Sequence, residues 1–165
     1  MQKISPDQLI PMDIFTPDAA LDINVIYAHD KAPNIFGQIY RKDARLWLYE
    51  DLAKIVILAA KRAAKDGYTL TLYDGFRSFE AQEKMANSKA TQENPNWMEE
   101  PHRLLSPPGK GAHPRAMAID CTLSEQNGEA LDMGTVFDLL SEIPTKAHNP
   151  AHREFVNMQE GHKLN

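Results

Sequence analysis

Residues 42–66 most strongly constrain the fold, because they carry a helical repeat of apolar side chains that leads directly into a strand. Apolar residues recur at positions 46, 48, 52, 55, 56, 59, 60 and 63, which is the spacing of one helix face. Asp43 is a possible N-cap, and Gly67 is a natural C-terminal stop. Residues 68–73 are rich in β-branched and aromatic side chains and predict a strand. A helix of this length can back a sheet, so the segment predicts a mixed helix and sheet domain.

Shorter elements are predicted on both sides of this unit. Residues 22–27 and 116–123 alternate in polarity and predict strands, the second with an apolar face that includes Cys121. A helix over 78–89 has Ser78 as its N-cap. Beyond these, the sequence predicts a loop over 94–111, a hairpin turn at Asn127-Gly128 with a returning strand over 130–133, and a final helix over 153–164.

Composition excludes several classes of function. The chain has 165 residues, which suggests one domain, and its net charge of −5 without a basic block makes nucleic acid a poor partner. There is no apolar run near the roughly 18 residues of a membrane span. Cys121 is the only cysteine, so an internal disulfide is impossible. We therefore expect a cytoplasmic protein that does not bind membranes, and the sequence leaves its oligomeric state open.

A candidate metal site lies in the stretch 111–123. His113 and Asp120 are both zinc-ligand types, and they stand seven residues apart. A straight strand would separate them by about 23 Å, whereas ligands of one metal need Cα atoms within roughly 10–12 Å. A shared metal therefore requires a bend, for which Pro114 provides a plausible place. The spacing alone is a weak signal.

Two further residues have open interpretations. Arg77 follows a predicted strand and the turn residue Gly75, so it either enters a cleft or forms a surface ion pair with Asp74 or Glu80. Tyr27 is by default a packed aromatic side chain with its hydroxyl near water. A nucleophilic-serine elbow of the Gly-x-Ser-x-Gly type is absent from the sequence.

Several segments together resemble one family, the zinc-dependent D-alanyl-D-alanine dipeptidases of the vancomycin-resistance type. They follow the family order and nearly the family spacing across about residues 20–140. The segments are Tyr27-Ala28 before Asn34-Ile35-Phe36-Gly37, Tyr73-Asp74-Gly75-Phe76-Arg77, the stretch from His113 to Ile119-Asp120-Cys121-Thr122-Leu123, and Asp132-Met133-Gly134-Thr135-Val136-Phe137-Asp138. The resemblance implies an α+β fold with a small, mainly antiparallel sheet packed with helices, in a single domain over residues 1–165.

The resemblance also implies an activity and a set of site residues. It implies a metallopeptidase that splits a small D-,D-dipeptide with a zinc-bound water, the Zn²⁺ ion being held by His113 and Asp120. Arg77 would steady the oxyanion of the tetrahedral intermediate. Asp138 would pair with the free amino group of the dipeptide, and Tyr27 would line the pocket.

The sequence departs from the family pattern at three places. A serine usually stands two residues before the metal histidine and a glycine three after it, whereas this chain has Gly111 and Ala116. The Glu-x-Trp-His motif that supplies the third ligand and the general base is absent, and Glu160-Gly161-His162 imitates it with the wrong spacing. We therefore expect a member that lacks its C-terminal strand. The alternatives are an inactive homologue that acts as a binding protein and a related peptidoglycan carboxypeptidase.

Overall fold

The chain combines short strands with helices, as seen in a computed structural model that describes residues 4–101, 103–140, 147–150 and 154–158. Within these ranges there are three α-helices and five strands, and the α+β class expected from the sequence is confirmed. The elements are β1 (Leu9–Pro11), β2 (Leu21–Ile23), β3 (Trp47–Tyr49), α1 (Glu50–Lys65), β4 (Tyr68–Asp74), α2 (Phe79–Ala86), α3 (Lys89–Glu93) and β5 (Asp120–Glu125).

The strands form two small sheets. β4 is the central strand of the larger sheet, with β2 parallel on one side and β5 antiparallel on the other. The register sets Leu72 opposite Cys121 and then Asp74 opposite Asp120, with an irregularity between these two pairs. The smaller sheet is the antiparallel pair β1 and β3. The larger sheet therefore brings the end of β4 beside the start of β5.

The helix predicted over 42–66 begins eight residues later than its periodicity suggests. α1 starts at Glu50, whereas the residues just before it form β3, which pairs with β1. Leu46 and Leu48 are buried in the core, and their spacing of two puts them on one face of a strand, whereas a helix would turn them to different sides. Pairing with β1 decides between the two, so Asp43 is not the N-cap. The predicted stop is confirmed, because Gly67 follows the helix with φ +87°.

Other predicted boundaries are partly wrong. The helix predicted over 78–89 starts as expected, with Ser78 Oγ accepting the Ala81 N–H at 3.2 Å, but it ends at Ala86. The strand predicted over 116–123 begins only at Asp120. Cys121 lies on the outer strand of the sheet and is exposed, contrary to its expected place on an apolar face.

The outlying elements also differ from prediction. The strand predicted over 22–27 gives way to a 3₁₀ turn at Ile26–Ala28. The hairpin turn before residue 130 is present, but the returning strand is reduced to a single bridge between Ala130 and Ser124, with the Leu131 N–H donating to the Leu123 carbonyl at 2.9 Å. Residues 154–158 form turns rather than helix, and the rest of the predicted final helix lies outside the described residues.

Two apolar clusters support the structure. The first lies where α1 covers the larger sheet and includes Val56 from α1 and Leu72 from β4. The second is built around Tyr27, with Met85 from α2 among its members. The turn that follows β4 leads from the first cluster to the second. No helix in the described part of the chain is both long enough and apolar enough to cross a membrane.

We expect Gly75→Ala to destabilise the fold by roughly 2–3 kcal/mol, within the range for overpacking. The added methyl would lie 2.7 Å from the Trp47 carbonyl oxygen and 2.8 Å from Leu48 Cδ2. That oxygen is backbone and already accepts the Phe76 N–H at 2.8 Å, so it cannot move away freely. Urea unfolding of both proteins measures the difference.

The matched control is Gly128→Ala in the hairpin turn. A methyl there meets nothing within 4 Å, but φ is +86°, so only about 1–2 kcal/mol of left-handed strain is expected. A Gly75 variant as stable as the wild type would show that β3 and the turn after β4 do not pack as closely as described.

Candidate active site

The chain bends sharply between His113 and Asp120, as a shared metal requires. His113–Arg115 form a 3₁₀ turn that is ended by Ala116 with φ 52° and ψ 27°. The chain then runs into β5, whose first residue is Asp120. As a result, His113 Nε2 lies 3.7 Å from Asp120 Oδ1.

Ala116 holds the left-handed conformation that makes this bend possible. For a residue with a β-carbon this conformation costs about 1–2 kcal/mol. The N–H of Ala116 donates to the His113 carbonyl, and its own carbonyl accepts the Tyr49 N–H, both at 2.9 Å. The side chain is fully buried. Packing and hydrogen bonds therefore stabilise backbone angles that glycine adopts more easily.

The imidazole of His113 is oriented by a backbone carbonyl. Its Nδ1 lies 2.8 Å from the Gly75 carbonyl oxygen, which only accepts hydrogen bonds. Nδ1 therefore carries a proton, and in the neutral imidazole Nε2 has the lone pair, which faces Asp120. A metal-binding histidine is usually held in this way, with its second nitrogen donating to a carbonyl or carboxylate.

Arg77 and Asp74 form a buried ion pair beside this histidine. Arg77 Nη2 and Nε donate to Asp74 Oδ2 at 2.6 and 2.9 Å, and Nη1 lies 3.1 Å from Met85 Sδ. Arg77 is only 8% exposed, so the interpretation as a surface ion pair is wrong. Its partner, Asp74, is nevertheless one of the two residues that this interpretation named. Burial disfavours the cation, but the Asp74 carboxylate outweighs it and the pKa of Arg77 is raised. The guanidinium is therefore a fixed charge.

Asp74 is the residue that sequence reasoning undervalued. Its carboxylate, the His113 imidazole and the Asp120 carboxylate each place one potential ligand atom within 4.8 Å of the others. However, Asp74 Oδ1 accepts the Tyr40 hydroxyl at 2.7 Å, and Oδ2 accepts both bonds from Arg77. Asp74 Oδ2 also lies 3.6 Å from His113 Nδ1, the nitrogen that faces away from Asp120. Its position just before Gly75 at a strand end was the available signal.

Tyr27 and Asp138 form a second, partly buried contact. The Tyr27 hydroxyl donates to Asp138 Oδ2 at 2.7 Å, so it is not turned to water as its default reading expects. Arg77 Cζ lies 5.2 Å from the centre of the Tyr27 ring. Asp138 has φ 56°. Burial raises its pKa to about 6, although the Tyr27 hydrogen bond opposes the shift.

The functional side chains line one cavity of about 190 Å³. All five residues that the sequence singled out lie in its wall, namely Tyr27, Arg77, His113, Asp120 and Asp138. Burial raises the pKa of Asp120, with Asp74 adding to the shift and His113 and Arg77 opposing it. Arg77 Nη2 lies 3.5 Å from Asp120 Oδ2. The wall thus combines an imidazole with a free lone pair, two carboxylates and a fixed guanidinium.

Ser106 also lies in the cavity wall, and sequence reasoning missed it. It faces Gly111, where the related family carries a serine. A methyl built on Gly111 would lie 2.9 Å from Ser106 Oγ. Glu160 and His162, which imitate the missing motif, lie outside the described residues, as do the histidines at positions 102 and 152.

Comparison with known proteins gives matches over most of the chain. A family model described as D-Ala-D-Ala dipeptidase matches residues 6–156. The chain is also 28% identical over 144 residues to the D-alanyl-D-alanine dipeptidase of Escherichia coli (strain K12). That alignment covers 87% of this chain and 67% of the relative. Because the family model spans nearly all of the sequence, the chain belongs to the D-Ala-D-Ala dipeptidase family.

Proposed function

We propose that this protein is a zinc peptidase that hydrolyses D-alanyl-D-alanine. The observation that carries the proposal is the pair His113 Nε2 and Asp120 Oδ1, 3.7 Å apart, with the guanidinium of Arg77 at 3.5 Å from Asp120. Two metal-ligand atoms and a fixed cation thereby share one small cavity. The related dipeptidase of Escherichia coli supports the choice of substrate. We expect the reaction to take place in the cytoplasm.

The donor set suits zinc. Two ligands about 2.0–2.1 Å from a tetrahedral ion lie roughly 3.3 Å apart, so a separation of 3.7 Å needs only a small adjustment. When bound, zinc polarises a carbonyl group and lowers the pKa of a water molecule. We assign the ion to His113 and Asp120, and we assign Asp74 to Arg77 because both of its oxygens already accept hydrogen bonds. We assign no third ligand and no general base among the described residues.

Arg77 is suited to act on the transition state. Its guanidinium is buried, charged and held by Asp74, so it needs no reorganisation when negative charge develops on the scissile carbonyl. Its distance from Asp120 places that charge beside the proposed metal site. We therefore infer that it stabilises the oxyanion of the tetrahedral intermediate.

Asp138 is suited to bind the amino terminus of the substrate. Its pKa of about 6 leaves the carboxylate ionised at neutral pH, and an ammonium group beside it favours ionisation further. A cavity of about 190 Å³ is below the roughly 300 Å³ of ordinary ligand pockets, so it favours a dipeptide over a long peptide. A free amino terminus is thus part of what the site recognises.

We expect the full chain to bind zinc and His113→Ala to weaken that binding at least about 100-fold, because a ligand is lost. Calorimetric titration of zinc into the chelator-treated protein measures the affinity. His29→Ala is the matched control, since His29 lies outside the cavity and contacts Asn24. Equal zinc affinities for the His113 and His29 variants would contradict the proposed metal site.

The same titration tests the assignment of Asp74. The double variant Asp74→Asn/Arg77→Met removes both charges of the buried pair, so that neither is left unpaired. If Asp74 only holds Arg77, zinc affinity stays within about ten-fold of the wild type. A loss as large as that of His113→Ala would instead make Asp74 a ligand.

Arg77→Lys is expected to lower kcat for D-Ala-D-Ala by about 100-fold or more, with little change in KM. Lysine keeps the charge but loses the planar fork that Asp74 holds. Steady-state kinetics with added zinc gives both constants. Arg45→Lys is the control, because Arg45 pairs with Asp13 at the surface. An Arg77 variant with unchanged kcat would remove Arg77 from the chemical step.

Asp138→Asn is expected to raise KM for D-Ala-D-Ala by about ten-fold or more, because the ion pair with the amino group is lost. Asparagine still accepts the Tyr27 hydroxyl, so the pocket keeps its internal contact. N-acetylated D-Ala-D-Ala, which has no amino charge, should be a poor substrate for both proteins. Efficient cleavage of the acetylated peptide or of longer stem peptides by the wild type would favour a carboxypeptidase instead.

A further inference from the structure

We infer that the Ser106 hydroxyl, together with the Lys110 ammonium group, binds the C-terminal carboxylate of the dipeptide. The inference rests on the proposed function and specifies which part of the chain recognises the second terminus of the substrate. Both residues lie in the wall of the cavity that holds His113 and Asp120. Ser106 is thereby a residue that determines specificity.

The chemistry of the substrate creates the need for such a group. A D-,D-dipeptide carries an ammonium group at one end and a carboxylate at the other, and the proposed function assigns only the ammonium group. The proposed function assigns Arg77 to the oxyanion of the tetrahedral intermediate. Two of its nitrogens, Nε and Nη2, already donate to Asp74, so we do not assign it the carboxylate as well.

Ser106 and Lys110 have their polar groups available. Within the part of the chain that the structure describes, the Ser106 hydroxyl makes no hydrogen bond and the Lys110 ammonium group makes no ion pair. Ser106 and Lys110 are exposed and line the same cavity, so the wall offers a hydroxyl donor and a cation. This pair of groups favours a carboxylate, because hydrogen bonds to an ionised acceptor are about twice as strong as neutral ones.

Asp138 and Ser106 both line the cavity, and each is connected to the residues around the metal ligands by a different contact. Asp138 contacts Tyr27, whose ring lies against Arg77. Ser106 instead faces Gly111, which precedes His113 by two residues. A dipeptide with its amino group on Asp138 thus has Ser106 available for its other terminus.

A rigid turn fixes the position of Ser106. The turn over residues 107–110 contains two prolines and is closed by the Lys110 N–H, which donates to the Pro107 carbonyl at 2.9 Å. Gln82, only 5% exposed, holds the turn from α2: its Oε1 accepts the Gly109 N–H at 2.7 Å, and its Nε2 donates to the Lys110 carbonyl at 3.0 Å.

Glycine at position 111 is what admits the serine side chain. Gly111 has φ +87°, a conformation that favours glycine, and a β-carbon there would lie 2.9 Å from Ser106 Oγ. The space beside the backbone of residue 111 is therefore occupied by a hydroxyl from residue 106.

The test measures binding of D-Ala-D-Ala and of its C-terminal amide, D-alanyl-D-alaninamide, to the full chain after chelator treatment, so that neither ligand is hydrolysed. We expect Ser106→Ala to raise the dissociation constant of the dipeptide about ten-fold and that of the amide less than about five-fold. Lys110→Gln should also weaken binding of the dipeptide more than binding of the amide. The controls are Ser5→Ala and Lys61→Gln, at exposed positions outside the cavity.

Kinetics of the zinc-loaded chain supply the second measurement. The Ser106 variant should raise KM for the dipeptide and leave kcat nearly unchanged, because the carboxylate is bound equally in the ground state and the transition state. Equal losses for dipeptide and amide, or no loss for either, would overturn the role of Ser106. So would a wild-type chain that binds neither ligand.

Failure of the proposed function gives a different pattern. A chain that shows no zinc-dependent hydrolysis but still binds the dipeptide through Ser106 would refute the peptidase and support the carboxylate site. Conversely, zinc-dependent hydrolysis without any dependence on Ser106 would refute this inference alone.

Discussion

The buried ion pair of Asp74 and Arg77 is the interaction on which the rest of the site depends. Asp74 is the last residue of β4, and Arg77 follows it across the turn at Gly75. The Gly75 carbonyl accepts from His113, and the Arg77 guanidinium reaches Asp120. Leaving either partner of such a buried pair alone costs roughly 3–5 kcal/mol, so the pair fixes the turn as well as the charge. The proposed metal ligands are thus oriented by the same turn that presents the guanidinium.

The site is assembled from strained or closely packed backbone. Ala116 adopts left-handed angles to bring His113 back toward Asp120, and Gly75 passes so close to Trp47 that no β-carbon has room. Strain of this kind persists where surrounding contacts over-determine it, and it commonly marks functional sites. In this protein the contacts are hydrogen bonds to Ala116 and the packing of β3 beneath the turn. The backbone angles that shape the cavity therefore lower the stability of the fold.

The structure also clarifies how this chain departs from its family. The residue two before His113 is glycine, yet a hydroxyl reaches the same region from Ser106. The third ligand and the general base expected from the family are not assigned among the described residues. Family membership itself rests on a match over residues 6–156.

Local patterns in the sequence determined those helix and strand features that depend on a few neighbouring residues. The strand at 68–73, the stop at Gly67 and the cap at Ser78 follow from propensity and from single residues. The ordered motifs also pointed to His113, Asp120, Arg77, Asp138 and Tyr27 through resemblance to the family. Tertiary structure alone decided the rest, because it depends on residues far apart in the chain. Pairing of β3 with β1 set the start of α1. The sequence already offered Asp74 as a partner of Arg77, but only the packed fold shows that this pair is buried. Gln82 of α2 holds the turn over residues 107–110 that separates Ser106 from Gly111.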